Sequence, residues 1–146
     1  EIGVRLVGSE MCIRDRIDCG PSLGMLTINA LTAADSVIIP VEAEYLSAKG
    51  MELLLRSVAM TKRKLNPSLK IDGILITRVD KRNNLSGQII KMVRDAYESL
   101  NIFDSQIPER IAVGKSLSKH ELVAGFEKNS DAAIAYKKLA QEVLAK

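Results

Sequence analysis

The sequence predicts an α/β fold, a three-layer parallel sheet with helices on both faces. Three observations predict it. Short apolar runs rich in β-branched residues, such as Val37-Ile38-Ile39 and Ile71 to Thr77, are continuous rather than alternating, as strands covered on both faces require. Longer segments with apolar residues at helical spacing separate them, so strand and helix alternate and right-handed βαβ units follow. At 146 residues, 47% apolar and 27% charged, the chain fits one domain and can bury a real core.

Composition also narrows function. The net charge of +3 permits nucleic-acid binding without arguing for it. Cys12 and Cys19 form no disulfide framework and no CxxC metal pair, and His120 stands alone, so a reduced, cytosolic setting is expected. No apolar run is long enough for a bilayer and no signal-peptide pattern occurs, so no membrane partner is expected.

Glu1 to Arg16 follows no hydrophobic period, and Arg14-Asp15-Arg16 sets three charges directly before Ile17. A central parallel strand needs an apolar run there, because each buried charge is costly. The segment EIGVRLVGSEMCIRDR resembles translated read-through of a sequencing adapter. Residues 1–16 are therefore expected to be non-native, leaving 17–146 as a domain truncated at its N-terminus.

Ile17-Asp18 leads into the turn Cys19-Gly20-Pro21, and Ser22 stands where it can cap a helix. That places Asp18 at the carboxyl end of a strand and Cys19 among buried apolar groups. The helix runs from Ser22 to Ala34, with Leu23, Leu26, Ala30 and Ala33 near one face. Val37 to Val41 is a buried strand that ends at Pro40. Ser47 caps a long helix to about Leu65, burying Met51, Leu54, Leu55 and Val58, and Asn66-Pro67 stops it. Lys62-Arg63-Lys64 in its last turn complements the helix dipole.

Ile71 to Thr77 is the next strand, followed by the polar turn Arg78 to Asn84 and a helix from about Leu85 to Leu100. Its buried set is Ile89, Met92, Val93 and Ala96. Ile102 to Ile107 is a weaker strand closed by Pro108. Glu109 to Asn129 is polar and irregular, with a short helix near Ser116 to Leu122. The last helix starts near Ser130 and buries Ala132, Tyr136, Leu139 and Val143. Parallel strands bring their carboxyl ends to one edge, so Asp18, Pro40, Thr77 to Asp80 and Ile107-Pro108 should meet there. A ligand crevice at that edge is expected before any family is considered.

The run from Asp18 to Asp35, DCGPSLGMLTINALTAAD, resembles the Walker-B segment and following helix of the ParA/Soj partition ATPases, deviant-Walker P-loop proteins related to MinD. The family usually has two prolines where this chain has Gly20-Pro21. The resemblance runs from Ile17 to the C-terminus and implies ATP and Mg²⁺ as cofactors of the intact protein. It further implies an ATP-dependent homodimer, non-specific binding of double-stranded DNA, a ParB-like partner protein and a cytoplasmic, nucleoid-associated setting.

The resemblance gives Asp18 a catalytic and Mg²⁺-linked role, where spacing alone leaves a simple helix cap equally open. It implies nucleotide-base contacts at Thr77, Arg78, Ile107 and Pro108, which could otherwise be ordinary strand-end punctuation. Asp80-Lys81-Arg82 matches the family's D-x-R turn, whose arginine is implicated in DNA binding. Arg82 beside Lys81, near Lys91 and Arg94, can meet phosphates without reading bases, or can be a solvated turn. The family's second arginine falls at Ala112, and Arg110 is the candidate substitute. No G-x-x-x-x-G-K-[ST] loop occurs; Gly114-Lys115-Ser116 mimics only its tail and is expected to be an ordinary loop. Without that loop the chain alone is expected not to hydrolyse ATP. Two alternatives remain, a MinD-like positioning ATPase and a non-enzymatic module or fragment.

Overall fold

Lys70–Val79 is the strand on which the rest is built, because it runs between two parallel neighbours and is apolar toward both faces. The computed structural model describes residues 15–20, 24–43, 45–80, 82 and 84–145. In chain order these form α1 (Met25–Ala33), β1 (Ser36–Glu42), α2 (Tyr45–Lys64), β2 (Lys70–Val79), α3 (Asn84–Ala96) and β3 (Ile102–Pro108). Then come α4 (Ile111–Ser118), α5 (Val123–Phe126) and α6 (Asp131–Leu144). The sheet has the order β1-β2-β3, with both pairings parallel.

Side-chain alternation divides the sheet into two covered faces. Ile39, Val41, Ile74 and Ile76 pack with Met51 of α2 and with Ile89 and Val93 of α3. Leu75, Phe103 and Ile107 point the other way, against Ala135, Leu139 and Val143 of α6. Each fully buried aliphatic or aromatic side chain contributes about 1.5–3 kcal/mol, so these two layers dominate the stability of the fold. A smaller cluster of Leu31, Val58 and Leu69 joins α1 to α2. Beside it the buried Asn66 donates through Nδ2 to the carbonyls of Leu31 (3.1 Å) and Ala34 (2.8 Å), closing the end of α1.

Gly73 is required by a close approach. A Cβ there would lie 2.6 Å from Asn101 Nδ2 and 2.9 Å from Asn101 O, where Asn101 crosses to receive the N–H of Ile74 at 2.9 Å.

The structure corrects several expectations. Asp18 ends no strand: residues 15–20 form no regular element, Ile17 is exposed and Cys19 is an exposed free thiol rather than a packed one. Ile17, between Arg16 and Asp18, forms no apolar run that could compete for a place in a parallel ladder. Ser22 lies outside the described residues. In α1, Leu26 is 85% exposed, while Thr27 and Leu31 are buried, because only the side of this helix that carries Leu31 packs against Val58 and Leu69. Pro40 does not end β1, which continues to Glu42; as an exposed residue of a sheet-edge strand it needs no N–H to donate. The second helix begins at Tyr45, ahead of Ser47.

Arg78 and Val79 belong to β2 itself, not to the turn after it. On α3, Ile89 and Val93 are buried with Ser86, whereas Met92 and Ala96 face solvent. Only the narrow stripe that touches β1 and β2 is covered. Glu109 to Asn129 holds two helices, and Gly114-Lys115-Ser116 lies within α4, with Ser116 Oγ donating to Val113 O at 2.9 Å. Ser130 does cap α6, accepting the N–H of Ala133. Tyr136 stays 39% exposed because Ala132 and Ala133 bring the helix close to its neighbours along another line.

Candidate functional site

The parallel register sets three chain segments side by side at the carboxyl edge of the sheet. Glu42 is opposite Thr77, and Val79 is opposite Pro108. Just beyond the strands, Ala43 N–H donates to Thr77 O at 3.0 Å and Glu109 N–H donates to Val79 O at 3.2 Å. Thr77 Oγ1 donates to Val41 O at 3.3 Å. Ile107 and Pro108 are buried beneath this edge.

Arg78 crosses the edge. Its backbone is left-handed, with φ of 52°, and its guanidinium reaches Glu42 Oε2 at 3.1 Å and Glu109 Oε1 at 3.0 Å. The hydrogen bond to Glu109, with the charge of Glu42 behind it, raises the guanidinium pKa above its ordinary value. Arg78 is thus a cation already engaged by two carboxylates.

Asp80 and Arg82 form a local turn. Asp80 Oδ1 accepts the backbone N–H of Arg82 at 3.0 Å and its Nε–H at 3.4 Å. The backbone donor is the main reason the Asp80 carboxyl sits below the usual carboxylate range. Arg82 itself is 90% exposed. Lys81 lies outside the described residues.

Arg110 differs. Its Nε donates to Asp131 Oδ1 at 3.0 Å and a second guanidinium nitrogen to Asp131 Oδ2, a two-pronged pair tying the start of α4 to the first turn of α6.

An open pocket of about 570 Å³ lies over this region, with Asp80, Arg82, Glu109, Arg110, Lys115 and Asp131 in its walls. Cations and anions are mixed there. Among the described residues no group of three or more His, Cys, Asp or Glu side chains could hold a metal ion. Asp18 sits in an irregular, exposed segment.

Of the residues singled out from sequence, the fold brings Thr77, Arg78, Ile107, Pro108 and Arg110 to one edge with Arg82 on its rim, whereas Asp18 lies in an exposed segment without regular structure. Sequence reasoning missed Glu42, Glu109 and Asp131. Each carried a signal: Glu42 and Glu109 directly follow an apolar strand run, and Asp131 follows the capping Ser130.

Comparison with known proteins places this geometry. Residues 14–71 match the model of an AAA domain family. The chain is 40% identical over 129 residues to the sporulation initiation inhibitor protein Soj of Bacillus subtilis, covering 88% of this chain and 51% of Soj. It is 38% identical over 130 residues to the chromosome partitioning protein ParA of Caulobacter vibrioides, covering 89% of this chain and 48% of that protein. By sequence the chain is similar to the partitioning proteins Soj and ParA. The chain spans about half the length of the curated relatives it matches. Its fold matches as well. A solved structure of cobyrinic acid a,c-diamide synthase from Mycobacterium smegmatis, with bound ATP analogue and magnesium, superposes at a TM-score of 0.73. That match has 34% identity and covers 96% of this chain and 50% of that one. The three-layer parallel architecture of the chain is that of P-loop NTPases.

Proposed function

We propose that this chain is the C-terminal portion of a ParA-like ATPase that partitions a plasmid or chromosome, with residues 17–146 as its native part and 1–16 foreign to it. The intact protein binds ATP with Mg²⁺, pairs as an ATP-dependent homodimer, and holds double-stranded DNA without reading sequence. A ParB-like partner stimulates it, and it works in the cytoplasm on the nucleoid. The observation that carries this reading is the likeness to Soj over 88% of the chain, in a fold whose parallel strands gather their carboxyl ends at one edge.

Within that reading Thr77, Ile107 and Pro108 form the wall against the nucleotide base. Asp18 belongs to the Mg²⁺ side, and its placement there depends on parts of the nucleotide site that the described residues do not supply. Arg82 meets DNA phosphates, its exposure leaving the charge free to do so. Lys81 stands beside it in sequence and shares that role. Arg110, paired with Asp131, contributes less. The MinD-like reading calls for an amphipathic membrane helix, whereas Ile134, Tyr136 and Leu144, exposed on α6, do not line one stripe.

The test is nucleotide-dependent DNA binding by the full-length protein that contains this chain. Fluorescence anisotropy should show tighter binding to two unrelated duplexes with ATP and Mg²⁺ than with ADP and Mg²⁺. Asp18→Ala should abolish the difference. Equal binding with either nucleotide, or binding to one duplex alone, overturns the reading.

A further inference from the structure

We propose that Arg78 is a positioning residue for the carboxyl edge: by sharing its guanidinium between Glu42 and Glu109, it sets the spacing of the segments that follow β1 and β3. The inference rests on the nucleotide reading of that edge only for its consequence, not for its geometry.

The geometry has three independent parts. The two carboxylates come from different neighbours of β2, Glu42 at the end of β1 and Glu109 just past β3, so one side chain links all three strands. Each outer segment is otherwise joined to β2 just beyond the strands by a backbone hydrogen bond, Ala43 to Thr77 on one side and Glu109 to Val79 on the other. And Arg78 takes a left-handed backbone, φ 52°, which a residue with a Cβ adopts where its surroundings over-determine it.

The residue type matters. A planar guanidinium offers donors in two directions at once, whereas a lysine ammonium on a flexible stem acts as a point charge. Bridging two carboxylates without pulling them together is the task an arginine suits. The trio carries a net charge of −1, so the two acids would repel each other if the arginine were removed. The edge would then widen, or its outer segments would swing outward into solvent. In this role Arg78 shapes the wall of the crevice and does not itself need to touch the base.

The test is hydrogen exchange on the full chain, followed by NMR at single amides. In Arg78→Met the amides of Ala43 and Glu109 should exchange about tenfold faster, while that of Ile74, which donates to Asn101 in the sheet interior, stays unchanged. In the unaltered protein about 1 M salt should accelerate the same two amides, because exposed ion pairs are screened, whereas in Arg78→Met, where only the repulsion of the two acids is left to screen, it should not accelerate them. Arg78→Lys should fall between the two. Glu42→Gln should free mainly Ala43, and Glu109→Gln mainly its own amide. Arg78→Gly separates charge from backbone: it should behave like Arg78→Met, and if it exchanges as slowly as the unaltered protein, the proposal fails. Unchanged exchange in Arg78→Met, or loss of protection at Ile74 as well, also overturns it. Binding of a fluorescent ATP analogue to the intact protein is the second arm. If exchange rises while analogue affinity is unaltered, the clamp stands and the nucleotide reading of this edge falls.

Discussion

The turn at Asp80–Arg82 and the junction between α4 and α6 each pair an arginine with an aspartate, yet they hold them in opposite ways. Arg82 folds back on an acid two positions before it, through its own backbone N–H and a long 3.4 Å side-chain contact, and stays 90% exposed. Arg110 reaches an acid distant in sequence, Asp131, with two guanidinium nitrogens, and only about a third of its side chain is exposed. The first pair constrains a turn and leaves a cation at the surface. The second joins two helices and consumes the cation. An arginine's value as a phosphate contact therefore depends less on its position in a motif than on whether tertiary structure has already given it a partner.

The junction depends on the layer under it, and the largest effect is expected there. Phe103 is fully buried and, with Leu75 and Ile107, supports α6, which carries Asp131. Phe103→Ala should destabilise the domain by about 3–5 kcal/mol in urea unfolding. A loss below about 1 kcal/mol would mean that α6 is held chiefly by its charged contacts, and would reverse the comparison. Next in size, Arg110→Ala should cost about 0.5–1 kcal/mol, the upper end for a partly exposed pair with good geometry. It should change the salt dependence of DNA affinity in the intact protein less than Arg82→Ala does.

Arg82→Ala should do the reverse. Stability should stay within about 0.5 kcal/mol, while the slope of log affinity against log salt falls by roughly 0.9 for one lost phosphate contact. Affinity for two unrelated duplexes should drop by similar factors, since phosphates carry no sequence information. If Arg110→Ala changes the slope and Arg82→Ala does not, the roles assigned to the two arginines are exchanged. The smallest effect is a titration. The folded Asp80 carboxyl lies below its unfolded value, so its contribution to the turn is present above the ordinary carboxylate pKa and is lost as pH falls through the lower, folded value. The Arg82 amide resonance, followed by NMR, should shift with a midpoint below about 3.9, the unperturbed aspartate value. A midpoint at or above that value would show the turn to be unformed.

Much of the fold was legible because periodicity reports burial directly. The continuous apolar runs at Val37 to Val41 and Ile71 to Thr77 became neighbouring parallel strands, and Ser130 opened the last helix as its side-chain chemistry suggests. Helix faces were less legible where a helix leans on one neighbour only, as with Leu26, Met92 and Tyr136, which periodicity placed inside and packing left outside. The α4 helix over Ile111–Ser118 was missed because its short, Gly-containing sequence carries a weak local signal.

By itself the sequence determined the layer class, the parallel alternation and the meeting of Thr77, Arg78, Ile107 and Pro108 at one edge, since these follow from hydrophobic patterning and the handedness of βαβ units. It also carried the likeness to the ParA/Soj proteins. Tertiary structure alone decided which charges are spoken for: Arg78 by Glu42 and Glu109, Arg110 by Asp131, Arg82 by no more than its own turn. The reason is range. Apolar burial is set by local period and is written along the chain, whereas an ion pair needs two groups within about 4 Å, and for residues far apart in sequence only the register of the packed strands and helices supplies that distance.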